Sequence, residues 1–194
     1  MPHPTDLDTR PGLPEDQRFL LEVHPRETWA GHDNLGGLMR FWLSRHDGFR
    51  EMGAGLDSLI SDFREGNVAA PDLAPLLVPR LQVFLGELHH HHLIEDHHYF
   101  PVFVAAENRM ARGFELLEND HEVIHARIEA VAESANALLR DLQAADPDRI
   151  RRAADAYAGE SGRLISGLMR HLGDEEDLIV PLVLERGEDD LGVS

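Results

Sequence analysis

The stretch HHLIEDHHYFP, residues 91–101, returns in altered form as HLGDEEDLIVP, residues 171–181. In both stretches a histidine is followed four residues later by a glutamate, then directly by a second carboxylate, and later by a proline. Residues four apart lie on the same face of an α-helix. The two stretches therefore predict two helices that each direct an imidazole and a carboxylate to one side, His91 with Glu95 and His171 with Glu175.

A further histidine precedes each of these pairs by a similar distance along the chain. His46 lies 45 residues before His91, and His121 lies 50 residues before His171. The second copy also carries His125, one helical turn after His121, where the first copy has an arginine. Agreement at the histidine, carboxylate and proline positions predicts a duplicated helical hairpin.

The rest of the chain is predicted to be helical around this repeat. Apolar residues recur at a spacing near 3.6 and no segment alternates with period two, which indicates an all-α fold. Breaks at REGNVAAPD, ARGF and AADPDR separate four long helices, so we expect an up-down-up-down four-helix bundle. Its two hairpins cover about residues 40–108 and 113–186, and Asp146 or Asp148 is the expected cap of the last helix.

The two ends of the chain are predicted to differ from the bundle. Residues 1–25 hold five of the eleven prolines and are expected to form an irregular arm, which short helices could extend. The bundle domain is then residues 26–186, and residues 187–194 form a polar tail.

Helical geometry sorts the histidine-rich stretch into faces. With His91 directed inward, Glu95 lies about 40° away and joins the apolar stripe. His98, one turn beyond Glu95, is expected near the inward face as a residue that supports the ligands. The other histidines of the stretch are predicted to be on the surface, namely His89, His90, His92 and His97.

Composition excludes several kinds of partner and site. The net charge is −18 and all 18 basic residues are arginines, which argues against nucleic acid because phosphate recognition needs a basic face. The absence of cysteine excludes disulfides, thiolate zinc sites and iron–sulfur clusters. No apolar run approaches the roughly 20 residues of a membrane span, and no signal peptide is visible. We therefore expect a cytoplasmic protein without a membrane partner.

The inward-facing polar groups predict a metal site. A buried carboxylate without a partner costs several kcal/mol, so a core that holds several such groups needs a compensating cation. Imidazole and carboxylate together suit Fe, Mn or Zn. Seven such ligands exceed one tetrahedral zinc and indicate two metal ions bridged by carboxylates. The predicted ligands are His46, His91, Glu95, His121, His125, His171 and Glu175, with Glu176 as the alternative to Glu175.

This set of motifs resembles hemerythrin and the bacterial hemerythrin-like (HHE) domains, over roughly residues 40–186. The resemblance implies a non-haem di-iron centre with an oxo or hydroxo bridge. Such a centre binds O2 reversibly or takes part in the sensing and handling of oxygen, NO, peroxide or iron. In the invertebrate hemerythrins the last carboxylate lies five residues after its histidine, where this chain has Glu176, whereas the repeat favours Glu175.

The resemblance also implies a division of the ligands between the two irons. His121, His125 and His171 would hold one iron. His46 and His91 would hold the other, which keeps an open position for O2 or peroxide. Glu95 and the carboxylate of the fourth helix would bridge the pair.

Several alternatives stay open at this point. An enzyme with peroxidase-like or NO-reducing activity could use the same centre, and zinc or manganese could replace iron. A ferritin-like di-iron protein has E-x2-H on two helices, and Glu87 with His90 and Glu118 with His121 fit that spacing. His32 is expected to be a capping or surface residue. The oligomeric state, and whether the chain is a carrier, a sensor or an enzyme, are left open.

Overall fold

The structure, a computed structural model, describes residues 6–144 and 146–193, and it contains no β-strand in this part of the chain. The predicted all-α fold is therefore confirmed. The long helices are α3 (Gly37–Glu65), α4 (Ala70–Ile94), α6 (Ala111–Ala144) and α7 (Pro147–Arg186). The short helices are α1 (Phe19–Val23), α2 (Arg26–Trp29), α5 (Phe100–Ala106) and α8 (Glu188–Leu191).

Helix α7 begins at the proline of the predicted break. The side chain of Asp146 accepts hydrogen bonds from the backbone N–H groups of Asp148, at 3.0 Å, and Arg149, at 3.2 Å. Pro147 fits the first helical position because its missing N–H would have had no partner within the helix. Asp146, one of the two predicted caps, is thus the residue that caps this helix.

The junction of α4 and α5 is a wide π-helical turn, Glu95–Tyr99. Pro101 follows it and cannot donate a backbone hydrogen bond. The equivalent Pro181 lies inside the unbroken α7, so proline alone does not cause the wide turn. Because a π-turn closes over five residues instead of four, side chains beyond Glu95 do not follow the α-helical period.

Contacts divide the chain into two compact units, and each unit draws on all four long helices. The first unit comprises the chain up to Gly48, His91–Glu122, and the chain from Met169 onward. The second comprises Phe49–His90 and Val123–Leu168. The core of the first unit includes Trp29, Met39, Trp42, Phe100, Phe103, Phe114, Leu117 and Val183. Buried residues of the second include Phe49, Leu56, Phe84, Ile124, Leu138 and Tyr157.

Both ends of the described chain are attached to the first unit. Residues 6–25 are irregular apart from a 3-10 turn at Glu15–Gln17 and α1, and they bury the side chains of Leu7, Arg10 and Leu13. At the other end, the carboxylate of Glu188 accepts the backbone N–H of Met39 at 2.8 Å, in the first turn of α3. This bond satisfies a backbone donor that has no partner within its own helix.

None of the helices in the described part of the chain combines the length and the apolar character that a membrane span needs.

Candidate metal centre

Two groups of buried histidines and carboxylates lie in the first unit. Within each group, one donor atom per residue can be chosen so that all of them lie within 4.8 Å of one another. The three-histidine group consists of His92, Glu95, His121 and His171. The two-histidine group consists of His46, His91, Glu95 and Glu175. All these side chains are almost fully buried except that of His91, which is 11% exposed.

Two carboxylates lie between the groups, each with one oxygen directed to either side. Glu95 places one oxygen 2.8 Å from Nε2 of His91 and the other 3.5 Å from Nε2 of His121. Glu175 places its oxygens 3.4 Å from Nε2 of His46 and 3.3 Å from Nε2 of His171. This is the arrangement expected of carboxylates that bridge two metal ions.

The short contacts inside the groups are not ordinary hydrogen bonds. Both oxygens of Glu95 and one oxygen of Glu175 are buried without an aligned donor among the described residues. The Nε2 atoms of His46 and His91 face each other at 3.3 Å, and those of His121 and His171 at 3.1 Å. Buried acceptors that converge without donors are costly. Cations would satisfy these lone pairs, so the residues present fit a pair of metal ions.

The outer nitrogens of three rings contact further carboxylates. Nδ1 of His46 lies 3.0 Å from Glu176, and Nδ1 of His121 lies 2.7 Å from Asp96. A carboxylate on Nδ1 holds the proton there and leaves Nε2 as the ligand atom. Asp96 and Glu176 occupy equivalent places in the repeat, and each contacts the histidine of the other hairpin. Glu176, predicted as the alternative bridging ligand, thus lies behind His46 and outside both groups.

The third of these outer contacts belongs to the fourth helix. Nδ1 of His171 lies 3.3 Å from Oδ2 of Asp120, a buried residue that directly precedes His121. In addition, the indole N–H of Trp42 donates to Oε1 of Glu175 at 2.6 Å. Both His171 and Glu175 are therefore held in place by neighbouring side chains.

The two carboxylates that lie between the groups differ in how readily they ionise. Burial and the charge of Glu175 raise the pKa of Glu95 well above its usual range. Burial opposes the ionisation of Glu175 as well, but His46 and His171 hold its pKa well below the usual range. Without a cation, the two carboxylates cannot both be ionised at low cost.

The buried histidines also differ in how readily they take up a proton. Burial lowers the pKa of His91 to about 3. Burial also favours the neutral ring of His171, but the adjacent carboxylates of Asp120 and Glu175 raise its pKa to about 9.

The prediction that His92 lies on the surface is wrong. Its ring is fully buried and stacks on that of His121, with the centroids 4.0 Å apart. The prediction took His91 as the only reference for direction. Relative to Glu95, however, His91 and His92 lie about 40° and 60° away on opposite sides, so both can approach its carboxylate. The pair of adjacent histidines three and four residues before Glu95 was the signal for this arrangement.

His125 is the one predicted histidine ligand that the structure places outside the two groups found among the described residues. It is half-buried in the second unit, with its ring 4.9 Å from that of His89. His92 fills the corresponding place in the three-histidine group. The division into three and two histidines is kept, but a residue of α4 supplies the extra one.

The remaining histidine-rich positions are exposed. His89, His90 and His97 lie on the surface as predicted, whereas His98 was expected near the inward face and is also exposed. His98 lies in the π-helical turn, where the α-helical period fails.

The structure also bears on the ferritin-like spacing and on the role of His32. Glu87, His90 and Glu118 are exposed, so the ferritin-like spacing does not form a buried site. His32 is half-buried, and it accepts the backbone N–H of Asn34 at 3.1 Å between the end of α2 at Trp29 and the start of α3 at Gly37, so it caps neither helix.

A known protein family matches the region that contains these residues. The hemerythrin HHE cation binding domain matches residues 37–183, a range that includes every member of both groups. Neither the curated proteins nor the solved structures give a match. Since the matched region covers well over half of the sequence, the chain belongs to the hemerythrin HHE cation-binding domain family.

Proposed function

We propose that the two groups hold a pair of iron ions and that this pair binds O2 or NO. The observation that carries the proposal is the convergence of five imidazoles, four of them fully buried, on two shared carboxylates, three of whose four oxygens lack an aligned donor. His92, His121 and His171 would hold one ion, and His46 and His91 the other. Glu95 and Glu175 would bridge them.

The donor set and the proposed small ligand together favour iron. Imidazole and carboxylate ligands without thiolates suit iron or manganese as well as zinc. Zinc in structural sites is almost always tetrahedral, and the three-histidine group offers three imidazoles in addition to both bridging carboxylates. A ferrous pair supplies electrons and free coordination positions to a small ligand such as O2 or NO.

The chain's own residues favour the two-histidine group as the place for that ligand. This group has one imidazole fewer than the other, so more of its coordination positions are left to exogenous ligands. Trp42 packs on it, with its ring centroid 6.3 Å from that of His46 and 6.0 Å from that of His91. Burial of these rings limits access of water, and Trp42 fixes the position of Glu175 through its indole N–H.

The metal content and visible spectrum of anaerobically prepared protein test this proposal. We expect two irons per chain and a band that appears in air and disappears when oxygen is removed. A band that appears but does not reverse would favour the alternative, an enzyme that consumes peroxide or NO, which turnover assays would then detect. One zinc per chain with no visible band would contradict the proposal. Glu95→Gln should abolish the band, whereas His98→Gln, on the surface, should leave it unchanged.

A further inference from the structure

Residues 6–36 precede the region that the family shares, yet two of their arginines contact the carboxylates behind the metal centre. We propose that Arg10 and Arg26 are positioning residues, one for each group of ligands. Arg26 would hold the two-histidine group and Arg10 the three-histidine group. This inference rests on the proposed binding of two metal ions.

Arg26, in α2, reaches the two-histidine group through Glu176. Its Nη1 donates to Oε2 of Glu176 at 2.9 Å, while the other oxygen of Glu176 contacts Nδ1 of His46 at 3.0 Å. The rest of the guanidinium is occupied as well: Nε donates to Asp177 at 2.7 Å and Nη2 to the carbonyl of Gly173 at 2.9 Å. The carboxylate of Glu176 is thus held on one oxygen by Arg26 and presents the other to the ring.

Arg10 reaches the three-histidine group through Asp120. Both terminal nitrogens of Arg10 donate to Asp120, and its Nε donates to Asp174 at 2.7 Å. Asp120 in turn contacts Nδ1 of His171. The side chain of Arg10 is fully buried, and its backbone carbonyl accepts a hydrogen bond from Arg170. The arm is therefore built into the first unit at this point.

The same physical reason applies to both series of contacts. Asp120 and Glu176 are both buried, and a buried carboxylate without a cation is strongly unfavourable. The planar guanidinium satisfies several carboxylate lone pairs at once and fixes the orientation of the carboxylate. A fixed carboxylate fixes the ring that donates to it, and such outer partners typically change metal affinity 10–100-fold. The N-terminal segment therefore completes a centre whose ligands all come from the helices.

Release of cobalt from the full chain, with Co²⁺ as the probe and EDTA as the competitor, tests the role of Arg26. We expect two phases for the unaltered protein, one per ion. Arg26 is partly exposed, so Arg26→Met should leave the fold intact, accelerate one phase by up to the roughly 10–100-fold expected for loss of Glu176 itself, and leave the other unchanged. The matched control is Arg112→Met, which breaks an exposed ion pair with Asp16 of the same N-terminal segment and should change neither phase.

Two results would overturn the role of Arg26. One is that both phases of Arg26→Met match those of the unaltered protein. The other is that both phases accelerate equally while the metal-free protein loses stability, which would indicate a structural role only. Fewer than two bound ions in the unaltered protein would contradict the proposed function and this inference with it.

The assignment of one arginine to each group is tested at Arg10. Removal of this buried cation could unfold the chain, so Arg10→Lys is used, which keeps the charge but loses the fork that binds Asp120 through two nitrogens. With circular dichroism confirming the fold, we expect Arg10→Lys to accelerate the phase that Arg26→Met leaves unchanged. If both variants accelerate the same phase, or Arg10→Lys accelerates neither, the assignment is overturned.

Discussion

Glu95 is preceded on its helix by two histidines that serve different groups. His91 lies four residues before it and His92 three residues before it, so their rings flank the carboxylate. His91 belongs to the two-histidine group and His92 to the three-histidine group. One short piece of α4 therefore contributes to both proposed ions, and the leucine at the equivalent place in the repeat, Leu172, explains why the two groups are unequal.

The role of His92 can be tested by replacing it with leucine, the residue at the equivalent place of the other hairpin. We expect His92→Leu to weaken one of two bound metal ions by at least the 10–100-fold typical of outer contacts, because a direct ligand is lost. The measurement is metal titration followed by calorimetry. His125→Leu is the control and should still bind two ions. Loss of an ion from His125→Leu, with none from His92→Leu, would restore the assignment based on the sequence.

Much of the candidate site follows from the sequence because the paired arrangement of its ligands corresponds to a sequence repeat. His46, His91, His121 and His171 occupy matched positions in the repeat, and the structure brings His46 to His91 in one group and His121 to His171 in the other. His92 has no histidine at the equivalent place of the repeat, so the symmetry that identifies the other four histidines gives no signal for it. Contacts with Arg10 depend on how a chain segment without periodicity folds back, and helical spacing carries no information on that.

Trp42 is expected to stabilise the centre through one hydrogen bond. Trp42→Phe removes the 2.6 Å bond to Glu175 but keeps an aromatic ring in the core. A bond to a charged group contributes about 1.5–3 kcal/mol, so the free energy of unfolding of the metal-free protein should fall by that order. Urea unfolding followed by circular dichroism measures it. An unchanged midpoint would mean that the indole N–H contributes nothing to stability.

At the scale of the elements, α6 and α7 approach each other closely at one glycine. A Cβ atom added at Gly113 would lie 2.7 Å from Cδ1 of Leu178, and the N–H of Gly113 donates to Gln17. Such a contact forces the neighbouring helix or side chain to move. The length of the side chain at residue 113 therefore limits how these helices pack within the first unit.

Gly113→Ala is expected to lower the free energy of unfolding by about 1–3 kcal/mol, the usual cost of overpacking. Gly159→Ala is the matched control in α7, where an added Cβ meets nothing within 4 Å. There the gain in helix propensity should stabilise the protein by about 0.5–1 kcal/mol. Thermal or urea unfolding of both variants measures the difference. Equal effects of the two substitutions would show that Leu178 yields without cost.

The connection between α5 and α6 is held by an ionic cluster around Glu107. Its carboxylate accepts hydrogen bonds from Nε of Arg109 at 2.7 Å and from Arg186 at 3.3 Å. Hydrogen bonds from Arg109 lower the pKa of Glu107 to about 2, from a usual value of 4.5. A carboxyl group whose pKa is lower in the folded chain than in the unfolded chain stabilises the fold at pH values above its unfolded pKa. This stabilisation is lost as the pH falls toward the folded pKa.

The free-energy advantage of the unaltered protein over Glu107→Gln should therefore be greatest above about pH 5 and shrink as the pH falls from 4.5 toward 2. Urea unfolding of both proteins at pH 7 and pH 3 gives the two differences. An advantage that is equal at both pH values would mean that the charge of Glu107 does not act on folding.

The elements themselves were largely predictable, and the exceptions are local. The breaks around Gly66 and Pro147 contain turn and capping residues that end helices for known reasons, so the long helices follow from the sequence. The wide turn at Glu95–Tyr99 has no such signal, because the equivalent segment with Pro181 remains α-helical. Its consequence, the exposure of His98, could not be obtained from a constant angle per residue.

At the scale of the whole molecule, metal binding is expected to couple the centre to folding. The proposed ligands extend from His46 to Glu175, and an unfolded chain offers no preformed site. An ion that binds only the folded chain stabilises it by about 2.7 kcal/mol at a concentration of one hundred times Kd. Two ions at that concentration should thus contribute about 5 kcal/mol in all.

This metal-dependent stability should also decrease on acidification. The ligands bind metal in their deprotonated form, while the metal-free chain raises the pKa of His171 to about 9 and that of Glu95 well above its usual range. Metal ions must therefore displace protons, and at pH 6 they compete with more bound protons than at pH 8. Urea unfolding with and without Fe²⁺ under anaerobic conditions, at both pH values, should show a larger difference at pH 8. His92→Leu should keep about half of that difference. If the stabilisation by Fe²⁺ grows on acidification, or if the protein unfolds equally with and without the metal, the buried histidines and carboxylates do not bind the metal.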